Sequence, residues 1–136
     1  MRNAPFFLAL TLVVASAGAA LAQDAAPAGD AAAGKTVFNI CAACHSIGPG
    51  AANRIGPELN GLIGRPAGSV AGYRYSAAMK NSGLTWDAAT FAKYIADPKA
   101  VVPGNKMSYA GLQDATQVAN LTAYLSTFNA DGSTKQ

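Results

Sequence analysis

The sequence predicts an all-α domain: a few short helices joined by long loops. Three observations carry that expectation. Apolar residues recur at helical spacing in three segments, around Val37, Phe38 and Cys41, around Phe91, Tyr94 and Ile95, and from Val118 through Leu121 and Leu125 to Phe128. No segment alternates apolar and polar residues persuasively enough to read as a strand. Between the first two helical segments, residues 46–72 are rich in Gly and Pro and lack periodicity.

The elements follow in order. Met1-Arg2-Asn3 is a short positive start, Phe6 to Ala20 is almost uniformly apolar, and Ala20-Leu21-Ala22 is an A-x-A cleavage site. The apolar run is shorter than the roughly 20 residues that span a bilayer. Residues 1–22 are therefore expected to be a cleaved secretory signal, which places the mature chain in the periplasm with no membrane span. Residues 23–29 read as a flexible lead-in, 30–130 as one domain, and 131–136 as a flexible tail. Asp30 caps a first helix from Ala31 to about Cys44. A short helical turn fits Ser76 to Asn81. Thr85 or Trp86 opens a helix over Asp87 to Ala96, stopped by Asp97-Pro98. Val101 to Met107 is a turn-forming loop, and Asp114 caps a last helix to about Phe128.

Charge excludes one class of partner. The formal net charge is +3, and the Lys and Arg residues are scattered, whereas nucleic-acid binding needs a basic stripe.

Chemistry concentrates at one place. The chain has two cysteines and one histidine, and all three lie in Cys41-Ala42-Ala43-Cys44-His45. C-x-x-C-H is the attachment pattern for a covalent c-type haem. Helix positions i, i+3 and i+4 share a face, so both sulfurs and the imidazole can address one flat group. Cys41 and Cys44 would form thioethers to a single haem c, and His45 would be an axial iron ligand. With no second histidine, the opposite ligand falls to a methionine. Met1 leaves with the signal and Met79 sits in the short helical turn, where core filling is the ordinary role. Met107 ends the Pro103-Gly104-Asn105-Lys106 turn and is the expected second axial ligand. A 27-residue irregular stretch, unusual in a small domain, becomes reasonable if it wraps such a group.

Beyond the motif, the chain resembles a class I cytochrome c of the bacterial c2 type, close to the mitochondrial protein. The resemblance runs from about Gly34 to Phe128. It rests on the C-x-x-C-H run, Gly56-Pro57-Glu58-Leu59-Asn60-Gly61-Leu62-Ile63-Gly64-Arg65, Gly72-Tyr73-Arg74-Tyr75-Ser76, Gly83-Leu84-Thr85-Trp86, Pro103 to Met107, and Leu121-Thr122-Ala123-Tyr124-Leu125. It implies the small cytochrome c fold, three main helices plus short helices and long loops around one haem. It further implies that the Pro57 carbonyl accepts from His45 Nδ1. Arg65, Tyr75 and Trp86 would serve a haem propionate, and Tyr94 would reach the Met107 sulfur. Phe38, Leu121 and Tyr124 would join the first and last helices, with Gly34 allowing close approach. Asn105, in the methionine loop, stands where the mitochondrial pattern has Thr. Met79 replaces an Asn of that pattern, Tyr109 a Phe, and Ile40 a Lys, and Asp114 lies where the mitochondrial surface is basic. Lys99 and Lys106 are the best remaining candidates for a positive rim, so electrostatic docking should be weak.

The resulting expectation is a soluble, monomeric one-electron carrier rather than an enzyme. Its partners would be redox proteins: a bc1-type complex and a terminal oxidase, reaction centre or dehydrogenase. The alternatives are a haem enzyme or gas-binding protein with an opened sixth position, a Cys41–Cys44 thiol oxidoreductase, and a zinc site short of ligands.

Overall fold

A computed structural model describes residues 28–136. The expected signal, 1–22, and residues 23–27 of the lead-in lie outside the described residues. Five helices follow in chain order: α1 (Ala31–Cys41), α2 (Ala77–Lys80), α3 (Ala88–Ala96), α4 (Pro98–Val101) and α5 (Ala115–Ser126). Among the described residues there is no strand, only isolated bridges at Pro66–Thr85 and Phe128–Thr134. None of these helices is long and apolar enough to cross a membrane.

Each helix starts on a side-chain oxygen that accepts from otherwise unpaired backbone N–H groups. The Asp30 carboxylate accepts from Ala32 N at 2.7 Å and Ala33 N at 3.2 Å. Ser76 Oγ accepts from Met79 N, Asp87 from Thr90 N, and Asp114 from Gln117 N. Three expected boundaries shift. α3 is capped by Asp87 rather than opened by Thr85 or Trp86, and α5 ends at Ser126 rather than near Phe128. α1 stops at Cys41 rather than near Cys44, because Cys44 N and His45 N both donate to the Cys41 carbonyl, at 3.0 and 2.9 Å. The motif thus occupies a tight turn closing the helix. Asp97-Pro98 ends α3 as expected but also opens α4, which the sequence reading missed. Asp97 Oδ1 accepts from Ala100 N at 3.0 Å, and Pro at the first helical position forfeits only an N–H that has no intrahelical partner.

α1 and α5 form the main helix pair. A Cβ on Gly34 would collide with the Asn120 carbonyl of α5, so glycine sets the closeness of the crossing. Phe38 packs on Tyr124 with ring centroids 5.4 Å apart, and Leu121 and Leu125 are almost fully buried. Asn120 Oδ1 also accepts from Asp30 N at 2.7 Å, tying the start of α1 to α5. Residues 131–136, expected as a flexible tail, are drawn back onto the end of α5. Asn129 N donates to Ser133 O at 2.8 Å and Lys135 N to Thr127 O at 2.7 Å.

The irregular stretch is held by its own bonds and by α3's approach. Gly48 and Asn60 exchange two hydrogen bonds, at 2.7 and 3.1 Å. Gly64 N donates to Trp86 O, and Trp86 N to Arg65 O. A loop whose backbone groups are satisfied in this way can be packed without the usual penalty, and it forms one side of a large cleft.

Candidate haem site

A cleft of about 350 Å³ opens between the C-x-x-C-H turn, the irregular stretch, α3 and the loop after α4. That volume lies within the range of small-molecule and cofactor sites. Cys41, Cys44 and His45 line one wall. The cysteines are not joined to each other, and burial pushes the Cys41 thiol up.

The His45 ring is fixed from two sides. Its Nδ1 donates to the Pro57 carbonyl at 2.7 Å, which leaves Nε2 as the unprotonated nitrogen able to ligate a metal. Burial lowers its pKa; the Pro57 bond opposes this, and the Arg65 charge adds to it. The ring is therefore held neutral, the form that binds iron. Gly56 lies under the imidazole so closely that a Cβ there would meet Cε1, with Nδ1 only 2.6 Å and Nε2 2.8 Å away. Arg54 Nη1 donates to the Ala42 carbonyl at 2.8 Å, satisfying an acceptor exposed where α1 ends.

The opposite wall is the loop ending in Met107. Gly104, at φ +86°, turns the chain where only glycine does so without strain. Asn105 then holds the loop with its whole amide. Nδ2 donates to Pro98 O at 2.7 Å and Val102 O at 2.8 Å, and Oδ1 accepts from Met107 N at 2.8 Å. Lys106 Nζ donates to Arg74 O at 2.7 Å. Both Met107 and Met79 reach the cleft, but Met79 belongs to the buried core, whereas Met107 is only partly buried against it.

Between these walls, Trp86 and Tyr94 lie with ring centroids 4.7 Å apart. Burial raises the Tyr94 phenol to about 12, so its O–H remains a donor at neutral pH. Tyr75 OH accepts from Val70 N at 3.2 Å and keeps its own proton to give. Arg65 faces the cleft but is already bound: Nη1 reaches Glu58 Oε1 at 3.0 Å and Asn60 O at 2.7 Å, and Nη2 reaches Glu58 O at 2.9 Å.

The structure thus brings Cys41, Cys44, His45, Pro57, Arg65, Tyr75, Trp86, Tyr94, Asn105 and Met107 to one cleft. Sequence reasoning missed Gly56, Arg54 and Glu58. Gly56 carried a visible signal, a glycine beside the Pro57 expected to bond His45. Arg54 acts on a carbonyl 12 residues away and left no local trace, while Glu58 stands in the Gly56–Arg65 run but pairs with Arg65 only across a turn of seven residues.

A covalent haem fits this donor set. Two thiols flank one imidazole with a free Nε2, the lining is mostly apolar, and donors cluster where carboxylates would otherwise be buried unpaired. The cytochrome c family profile matches residues 31–129. The chain is 58% identical over 106 residues to a cytochrome c-550 of Bradyrhizobium diazoefficiens, covering 78% of each. It is 56% identical over 117 residues to a cytochrome c2 of Blastochloris viridis, covering 85% of this chain and 92% of that one. The solved structure of cytochrome cH from Methylobacterium extorquens superposes with a TM-score of 0.69 at 47% identity, over 73% of this chain and 99% of that one. The chain belongs to the cytochrome c family. It is accordingly a monohaem electron-transfer protein with covalent haem c, not an enzyme.

Proposed function

We propose that this chain is a soluble periplasmic carrier, monomeric, whose haem iron is held between His45 and Met107. Its partners would be membrane redox proteins: a bc1-type complex on one side and a terminal oxidase, reaction centre or dehydrogenase on the other. The observation that carries the reading is that the C-x-x-C-H turn and the Met107 loop face each other across one apolar cleft.

When bound, the haem supplies one-electron ferric/ferrous chemistry. The protein's part is to keep geometry constant while charge changes. Pro57 orients the imidazole, and Cys41 and Cys44 fix the ring system to the end of α1. Asn105 holds the Met107 side, and Tyr94 lines the same cleft with its phenol protonated. Apolar walls exclude water, and Arg65, Tyr75 and Trp86 supply donors for the propionates. Ligands that remain in place leave little to reorganise on electron transfer. Exposed apolar side chains of Ile40 and Ile55 lie at the cleft mouth, which suits brief contacts of small area.

The test is a reduced-minus-oxidised spectrum of protein from the periplasmic fraction, followed by a denaturing gel stained for covalent haem. A low-spin haem c spectrum and a stained band are expected. A colourless protein would refute the reading.

A further inference from the structure

Arg65 is the one described residue that lines both the haem cleft and a second, shallower groove containing Glu58 and Asn60. Its guanidinium is the partition between the two. On the groove side it is gripped by Glu58 Oε1, Glu58 O and Asn60 O, at 3.0, 2.9 and 2.7 Å. The second carboxylate oxygen, Oε2, accepts from Asn60 N at 2.6 Å. Asn60 is itself buried and bonded to Gly48 through both ends of its amide. Both partners are mostly buried, with side chains 17% and 20% exposed, so solvent screens this pair less than a surface one.

We propose that Glu58 sets the iron's midpoint potential through Arg65: its carboxylate offsets the guanidinium's positive charge, while the Glu58 and Asn60 carbonyls keep Arg65 at the cleft wall. The proposal rests on haem occupying the cleft as described above. Reduction lowers the charge of the site by one. A fixed guanidinium alone favours the reduced state, and a carboxylate 3.0 Å away cancels much of that preference. Both charges are felt inside the cleft. Tyr75 is raised chiefly by burial, with Arg65 lowering it and Glu58 raising it.

The experiment is a redox titration of haem-loaded mature protein carrying Glu58→Gln, Glu58→Ala, Glu58→Asp or Arg65→Gln. Removing the negative charge should raise the potential, shifting the reduced-to-oxidised ratio several-fold at fixed ambient potential. The rise should appear in both the Gln and Ala variants, whose packing differs. Glu58→Asp should stay near the parent, and Arg65→Gln should shift the opposite way. A purely structural role would lower thermal stability without ordering the potentials by charge. Loaded Glu58→Gln protein with an unchanged or lowered potential overturns the role of Glu58 alone. Parent protein without covalent haem overturns the haem reading and this proposal with it.

Discussion

The two walls of the haem cleft are built by different means. Around His45 the chain is locked by backbone packing: Gly56 has no room for a side chain, the Pro57 carbonyl meets Nδ1, and a tight turn on the Cys41 carbonyl closes α1. Around Met107 the loop is held by side-chain amide bonds from Asn105 and one lysine contact. Close packing tolerates almost no displacement, whereas a few hydrogen bonds can break and re-form. The histidine wall is therefore the rigid reference, and the methionine wall is where the site can open.

The harshest challenge to that contrast is Gly56→Ala. Its Cβ would press on the His45 ring, and overpacking costs about 1–3 kcal/mol, occasionally more. Here the clash is with the ring that Pro57 fixes, so about 3 kcal/mol of destabilisation is expected. Denaturant unfolding of the haem-loaded variant should show it, with poor haem incorporation in cells. A stability close to the parent's would show that the histidine wall can give.

Asn105→Ala sharpens the other half. Three hydrogen bonds vanish while the fold's helices keep their contacts, which at about 1 kcal/mol each makes roughly 2–3 kcal/mol. The loss should be local. An added exogenous iron ligand should displace the methionine at a lower concentration than in the parent, measured by optical titration, with helix content unchanged. Equal ligand affinity in variant and parent would remove the distinction between the walls.

The smallest effect comes from alkali. Tyr94 titrates at about 12 in the fold against about 10 for an unperturbed phenol. Its raised pKa contributes stability that is fully present below pH ~10 and is lost as pH rises through ~12, worth at most about 2.7 kcal/mol. The Tyr94→Phe variant should lose stability less steeply than the parent between those limits, followed by circular dichroism. Parallel curves would show that Tyr94 is not the group that titrates.

The division between the walls also explains what could be read in advance. Helix starts were legible because a cap and an apolar stripe are local: Asp30, Ser76 and Asp114 stand where the chain needs them. The C-x-x-C-H run and the methionine loop were legible for the same reason. α4 was not, since Asp97-Pro98 serves as both a stop and a start. The C-terminal pairing of Lys135 with Thr127 and the Glu58–Arg65 clamp depend on tertiary closure, and no local pattern announces them. Gly56 is intermediate, visible as a residue type but meaningful only once the imidazole lies against it.

The most direct measurement is the ferric spectrum of Met107→Ala beside that of Met79→Leu. Ligation by His45 and Met107 requires that Met107→Ala lose the six-coordinate low-spin spectrum and bind an added ligand readily, while Met79→Leu keeps the parent spectrum. An unchanged spectrum in Met107→Ala, or its loss in Met79→Leu, would contradict the assignment.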